Sequence, residues 1–222
     1  MRQRGPATVT KSKTIYSEGF HLPMPGVFSL SFPYWHQLGV PVDTPGSKTS
    51  EMCLNQLSLL LSQATAPHDT AAILVETVMG EGGYVPAPPE FLKSLCAVCD
   101  KHGIMHIIDE GQSGYGRTGK NYAIEYSGVR PDIIITANLG PCLANGFLLS
   151  GVTSRKELTD KLQPGSMGGT YAGEAVACAA ADVMKEEKIP DNVDARSREL
   201  FAAPNALRAN PKVAPAILDV RG

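Results

Sequence analysis

Short apolar segments alternate with helical patterns through the middle of the chain, and this alternation restricts the fold more than any other feature. Residues 71–76 (AAILVE) and 103–110 (GIMHIIDE) are apolar runs typical of strands that are buried on both faces. A helix is predicted between them at residues 88–103, with Pro near its start and Gly at its end. Such alternation with short connections predicts an α/β fold, with a mainly parallel sheet flanked by helices.

The same pattern continues, and it predicts a core over residues 51–188. Two further strands are predicted at 131–137 and 146–153, and an Ala-rich helix at 173–188. An earlier helix is expected to begin after Thr49 or Ser50, either of which can cap it. Its apolar face repeats at helical spacing and consists of Cys53, Leu54, Leu57, Leu60 and Leu61.

The two ends of the chain differ from this core. Residues 1–50 are punctuated by Gly and Pro, so we predict an irregular arm and a polar linker there. Residues 189–222 begin as an amphipathic helix and then lose their periodicity among prolines. This tail is interpreted as the truncated start of a small C-terminal domain.

The composition narrows the functional class. Lys and Arg total 20 against 22 Asp and Glu, a formal net charge of −2, whereas a general nucleic-acid binder needs a surplus of basic side chains. No apolar run approaches the ~20 residues of a membrane-spanning helix, and the basic first residues lack the apolar region of a secretory signal. The five cysteines are scattered. We therefore expect a reduced, cytoplasmic protein that binds neither nucleic acid nor membrane.

Polar side chains at the carboxyl ends of the predicted strands form the candidate site. Glu76, the pair Asp109–Glu110 and Asn138 all fall at such ends, where ligands bind in parallel α/β sheets. A carboxylate that leaves an apolar strand is a good partner for a buried cationic nitrogen. The alternative is structural, with Asp109 capping a loop or pairing with Arg117.

Other motifs point away from metal and phosphate chemistry. The turn at residues 76–83 contains three glycines but no Gly-Lys-Ser/Thr, so it does not match a P-loop. Cys96 and Cys99 form a C-x-x-C inside a predicted helix without a second cysteine pair nearby. Buried helix residues are the better explanation for both cysteines, and no metal site is expected.

Several motifs in order resemble one enzyme family. The run from AAILVE (71–76) to PDIIITA (131–137) resembles the class III aminotransferases, pyridoxal-phosphate (PLP) enzymes of fold type I. A later segment of the family is similar to MGGTYAGEAVACAAA (residues 167–181). The arm that precedes the main run resembles KSKTIYSEGFHLPMPGVF, and the entry into the small domain resembles ILDVRG. The similarity begins at Lys11 and covers nearly the whole chain, which corresponds to the middle half of an aminotransferase. It implies part of the large domain of that fold.

The resemblance also implies roles for individual residues. Asp109 stands where the family aspartate pairs with the pyridine nitrogen and keeps it protonated, so that the ring acts as an electron sink. Gln112 matches the residue near the phenolic oxygen of the ring. Thr170 matches a threonine that reaches the cofactor phosphate across a dimer interface. Glu76 and Arg117 match positions that organise the floor and loops of the active site.

The sequence departs from the family at the residue that carries the cofactor. Asn138 follows PDIIITA where the Schiff-base lysine is expected, and no lysine lies between Lys120 and Lys156. An amide cannot form an imine or shuttle the substrate proton. A counterpart of the Gly-Ser-rich phosphate loop is also missing. PLP is therefore implied by resemblance alone, and neither a bound cofactor nor transamination is expected.

Three functional hypotheses follow. In the first, the protein derives from an aminotransferase and performs PLP-independent acid/base chemistry on a small molecule in biosynthesis, with Glu76, Asp109, Glu110 and Asn138 as catalytic residues. In the second, it is a non-catalytic pseudo-aminotransferase that dimerises with or regulates a full-length relative. In the third, it binds PLP without an internal aldimine. We favour the first, and we expect a homo-oligomer because half of a large fold exposes apolar surface.

Overall fold

The strands lie as the alternation predicts. A computed structural model describes residues 9–10, 13–16, 18–19, 24–138, 149–168, 173 and 175–221. Its strands are β1 (Ala72–Glu76), β2 (Val78–Met79), β3 (Val85–Pro86), β4 (Met105–Asp109), β5 (Ile133–Asn138) and β6 (Leu149–Ser154). The main sheet has the order β1-β4-β5-β6, and β2 and β3 form a separate two-stranded ribbon. That ribbon was not predicted, because two-residue strands leave no alternating pattern to detect.

The pairing in the main sheet is mainly parallel. β1 pairs in parallel with β4, and β4 pairs in parallel with β5, whereas β5 and β6 are antiparallel. The described helices are α1 (Trp35–Leu38), α2 (Gly46–Gln63), α3 (Pro89–His102), α4 (Lys156–Thr159), α5 (Ala175–Glu186) and α6 (Ile189–Arg208). Helix α3 forms the crossover between β1 and β4. The expectation of a mainly parallel sheet flanked by helices is confirmed. No described helix is long and apolar enough to cross a membrane.

Helix α2 begins earlier than the sequence suggested. It starts at Gly46, with Pro45 at the N-cap position. The hydroxyls of Thr49 and Ser50 donate to the Gly46 carbonyl oxygen at 3.0 and 2.6 Å, so both residues lie inside the first turns and cap nothing. Its predicted apolar face does face the core. The domain boundaries after residues 50 and 188 stay predictions.

Helix α6 continues through Pro204 to Arg208, past the point where the apolar periodicity fades. Its residues are partly or fully exposed, and none is buried. A weakly packed helix of this kind leaves little apolar pattern in the sequence, which explains why its length was not predicted.

The apolar core lies on one face of the sheet, beneath α2 and α3. Phe91, Leu92 and Leu95 of α3 pack with Cys53 of α2 and Ile108 of β4, and each of these side chains is almost completely buried. Side chains alternate across a strand, so neighbouring residues face the other way. On that opposite face, Leu74 is 41% exposed and Val152 is 52% exposed.

His106 of β4 is a polar group inside this core. Its side chain is 1% exposed, and neither ring nitrogen has a hydrogen-bond partner within the described part of the chain. Burial lowers the pKa of the ring, and the negative charges of Asp132 and Asp100 oppose only part of that effect. The folded protein therefore favours a neutral ring at this position.

We predict that His106→Leu stabilises the protein and flattens the pH dependence of its stability. The folded pKa lies below the unfolded value of about 6.5. As the pH falls below that value, the unfolded chain takes up a proton that the folded chain resists. The wild type should then lose up to about 1.4 kcal/mol of unfolding free energy per pH unit, a loss that His106→Leu avoids.

Urea unfolding of both proteins at several pH values, followed by circular dichroism, measures this difference. His68 is the matched control because its side chain is 82% exposed, so His68→Leu should leave the slope unchanged. Identical slopes for the wild type and His106→Leu would contradict the prediction.

Candidate functional site

Two carboxylates lie side by side at the carboxyl edge of the sheet. Glu76 ends β1 and Asp109 ends β4, and the two residues are register partners. The preceding pair, Val75 and Ile108, packs in the apolar core. Because side chains alternate along a strand, Glu76 and Asp109 lie on the opposite face. The fold thus brings together two of the residues that the sequence singled out.

Each carboxylate is held by the loop that follows its own strand. Glu76 Oε2 accepts a hydrogen bond from the Gly80 N–H at 2.8 Å. Asp109 Oδ1 accepts one from the Gly111 N–H at 2.9 Å. Asp109 forms no ion pair with Arg117 within the described ranges, and the loop-capping alternative describes its contact better.

Glu76 is the more perturbed member of the pair. Burial raises the pKa of its carboxyl group, and the nearby charges of Asp109 and Glu81 raise it further. The hydrogen bond from Gly80 opposes these effects in part. Glu76 therefore keeps a proton at a higher pH than an unperturbed glutamate does.

Glu110 lies on the other face of β4 and is 1% exposed. Its carboxylate accepts hydrogen bonds from the hydroxyls of Thr77 and Ser113 at 2.9 and 2.5 Å. It also accepts from the backbone N–H groups of Ala123 and Ile124 at 3.2 and 2.8 Å. Four donors within the protein satisfy this buried charge.

These four donors come from three separate segments. Thr77 follows β1, Ser113 lies in the loop after β4, and Ala123–Ser127 is a 3-10 helix. Glu110 joins all three segments at the carboxyl edge of the sheet. Thr77 was not recognised from the sequence, since it lies 33 residues from Glu110 and no local pattern links a threonine to a carboxylate at that distance.

The loops after β1 and β4 also contact each other directly. A Cβ atom on Gly80 would lie 3.2 Å from the Cγ atom of Gln112, so the lack of a side chain at Gly80 permits this approach. Gln112 and Arg117 are both exposed. Gln112 therefore lies near the loop that holds Glu76.

Asn138 is the last residue of β5, and its backbone is in register with Leu149 of β6. Its strand pairs with β4 up to Ile135, the register partner of Asp109. Asn138 thus lies at the same end of the sheet as the carboxylate pair. Thr170 lies outside the described residues.

The cysteines and acidic groups do not assemble a metal centre in the described ranges, where no cluster of three suitable ligands occurs. Cys96 and Cys99 lie in α3, and burial raises the pKa of the Cys99 thiol to about 12. A thiol of that kind is a poor nucleophile and a poor ligand. Cys99 is buried as expected, whereas the expectation is wrong for Cys96, which is only partly buried and whose thiol contacts the Asp100 carboxylate at 3.7 Å.

Comparison with known proteins gives a consistent match. A family model described as "Aminotransferase class-III" matches residues 2–222. The 5-aminovalerate aminotransferase DavT of Pseudomonas putida is 42% identical over 211 residues, which is 93% of this chain and 46% of that protein. The 4-aminobutyrate aminotransferase GabT of Escherichia coli is 45% identical over 161 residues, covering 71% of this chain and 36% of that protein. The chain spans less than half the length of these relatives.

Solved structures show the same architecture. An (S)-enantioselective omega-transaminase from Thermomicrobium roseum matches with a TM-score of 0.76 at 29% identity, covering 90% of this chain and 45% of that one. A transaminase from directed evolution by ancestral reconstruction matches with a TM-score of 0.80 at 27% identity, covering 100% and 50%. The fold expected from the sequence motifs is therefore confirmed.

We predict that Glu110→Ala lowers the free energy of unfolding by about 3 kcal/mol or more, because it leaves several buried donors without an acceptor. Denaturant unfolding compares this variant with Glu51→Ala, in which an exposed glutamate on α2 is removed. The control should change stability by less than about 0.5 kcal/mol. Equal stability of Glu110→Ala and the wild type would show that the buried carboxylate does not hold the loops.

Proposed function

The chain belongs to the class III aminotransferase family, and we propose that its Glu76–Asp109 pair catalyses acid/base chemistry on a small amino compound without covalently bound PLP. The observation that carries this proposal is the pair itself. Two carboxylates in register share one edge of the sheet, and burial together with the neighbouring charge raises the pKa of one of them. In such a pair, one carboxyl group can serve as the general acid and the other as the general base.

The negative charge of the carboxylate pair and the names of two relatives indicate the class of substrate. An ammonium or iminium group is attracted to a carboxylate pair and forms charge-assisted hydrogen bonds with it. The names of two relatives, 5-aminovalerate aminotransferase and 4-aminobutyrate aminotransferase, each contain a small ω-amino acid. We therefore propose that the site takes a small ω-amino acid, or an imine formed from one.

The residues at this edge do not fit the covalent attachment of the family cofactor. Attachment needs a primary amine, and the residue at the end of β5 is Asn138, an amide. Asp109 retains a carboxylate of the kind that pairs with a protonated ring nitrogen. No step of the proposed reaction is routed through the cofactor.

The reaction class that suits the pair is hydrolysis of a carbon–nitrogen double bond. Water adds to the imine carbon while Asp109 accepts a proton from that water. Glu76 acts in its protonated form and donates its proton to the nitrogen. Asp109 then gives the proton it accepted to the nitrogen, and Glu76 takes the proton of the new hydroxyl group as the carbon–nitrogen bond breaks. An amine and a carbonyl compound are released, one water is consumed, both carboxyl groups return to their starting states and no oxidant is needed.

The predicted catalytic residues then divide into two groups. Glu76 and Asp109 act on the substrate, and Asn138 is the last residue of β5 at the same end of the sheet. Glu110 is a structural residue in this proposal, since its carboxylate already accepts four hydrogen bonds from the protein.

A second candidate function is that of a non-catalytic partner. The observation that favours it is the sheet face opposite α2 and α3, where Leu74 and Val152 are about half exposed. Parallel sheets are normally covered on both faces. In this alternative the protein forms a homo-oligomer or binds a relative, and native mass spectrometry would detect the assembly.

We predict that the protein accelerates hydrolysis of the imine formed from benzaldehyde and 4-aminobutyrate, measured by loss of imine absorbance. Glu76→Gln should reduce the enzymatic rate about 100-fold or more, because the amide cannot donate the proton. The wild-type rate should fall as the pH rises through the elevated pKa of Glu76, since the acid form is then lost. Glu51→Gln, at an exposed position of α2, serves as the matched control and should leave the rate unchanged.

Either of two experimental results would contradict this proposal and favour another function. Equal rates for the wild type, Glu76→Gln and Asp109→Asn would leave the non-catalytic partner as the function. Saturable PLP binding to the wild type, with amino transfer restored by Asn138→Lys, would favour an aminotransferase that binds its cofactor without a covalent link.

A further inference from the structure

A cavity of about 820 Å³ lies beside the sheet edge, within the range of about 300–1,000 Å³ typical of small-molecule sites. Three of its lining residues, Thr77, Ser113 and Ala123, bind Glu110. The cavity therefore lies on the Glu110 side of the sheet, and neither Glu76 nor Asp109 lines it. It is separate from the carboxylate pair that carries the proposed function.

The cavity wall is largely apolar. Val78 and Ala87 come from the region of the β2–β3 ribbon, Leu92 from α3 and Phe201 from α6. Tyr84 also lines it. Such a wall favours a ligand with an apolar body of several carbon atoms.

Two opposite charges interrupt the apolar wall. Arg117 and Asp194 are the charged residues of the lining, and they come from different elements, the loop after β4 and helix α6. Within the described ranges neither forms an ion pair with another side chain. The cavity thus presents one cation and one anion, both available to a ligand.

Contacts within the protein surround these charges. The Tyr126 hydroxyl donates to the Thr118 carbonyl oxygen at 2.6 Å. The Asp194 carboxylate packs directly against Gly119, whose φ of +88° and lack of a side chain permit this contact. The buried Thr118 hydroxyl has no partner within the described part of the chain, although Thr118 lines the cavity. A ligand could satisfy that hydroxyl.

We propose that this cavity binds a free amino acid with an apolar side chain. The carboxylate of the ligand pairs with Arg117, its ammonium group pairs with Asp194, and its side chain fills the apolar part. Arg guanidinium groups bind carboxylates in a planar, two-point geometry. Because Arg117 and Asp194 lie on different elements, the bound zwitterion also links α6 to the loop after β4.

The test uses L-phenylalanine as the probe and isothermal titration calorimetry on the full chain. Two analogues each lack one charge: 2-phenylethylamine has no carboxylate, and 3-phenylpropionate has no ammonium group. Phenylalanine should bind saturably and at least about tenfold more tightly than either analogue, because each loses one charge-assisted contact. Equal affinity for all three compounds, or no saturable binding of phenylalanine, would overturn the proposal.

Charge-removing variants identify the two contacts. Arg117→Gln should remove the preference for phenylalanine over 2-phenylethylamine, and Asp194→Asn should remove its preference over 3-phenylpropionate. Arg196→Gln and Asp191→Asn are matched controls on α6, because neither residue lines this cavity, and both should bind phenylalanine as the wild type does. Unchanged preferences in Arg117→Gln and Asp194→Asn would refute the assignment.

Two further measurements keep the result unambiguous. Circular dichroism confirms that each variant is folded, and Arg117→Lys should recover part of the affinity because it restores the charge without the planar geometry. Glu76→Gln should bind phenylalanine normally, because the cavity does not include the Glu76–Asp109 pair. The experiments therefore distinguish a wrong assignment of the cavity from a wrong assignment of the Glu76–Asp109 pair.

Discussion

The hydrogen bonds to the buried Glu110 carboxylate hold the carboxyl edge of the sheet together. This carboxylate accepts from the segment after β1, from the loop after β4 and from the Ala123–Ser127 helix. A buried charge is tolerated only when donors replace the lost water. The four donors meet that requirement, and in doing so they bring together the loops that surround both the carboxylate pair and the adjacent cavity.

Side chains alternate between the two faces along β4, so the consecutive acidic residues Asp109 and Glu110 have different surroundings. Asp109 faces the sheet surface on the same side as Glu76, its register partner, whereas Glu110 faces inward and is fully occupied by protein donors. In our proposal this difference separates a residue that acts on substrate from a residue that positions the loops. The same alternation places the cavity on the Glu110 side, so that two adjacent sites share one set of loops.

The family relationship and the proposed chemistry rest on different residues. The match to class III aminotransferases extends over nearly the whole chain, and solved transaminase structures share its fold. The end of β5, however, carries Asn138 in place of an amine. The proposed reaction therefore uses what the chain retains at this edge, a half-buried carboxylate pair with a raised glutamate pKa.

Local patterns in the sequence determined the parallel sheet, helix α3 and the buried face of α2. They also placed Glu76, Asp109 and Asn138 at strand ends. These features could be predicted because periodicity and strand termini depend on neighbouring residues. Local patterns could not distinguish the surroundings of Asp109 from those of Glu110, nor reveal the unpartnered ring of His106. The surroundings of Thr77, Arg117 and Asp194 are formed by segments that lie far away in the chain. Only the tertiary structure decides such features, because burial and hydrogen bonding across the fold depend on which distant segments pack together, and no local pattern encodes that choice.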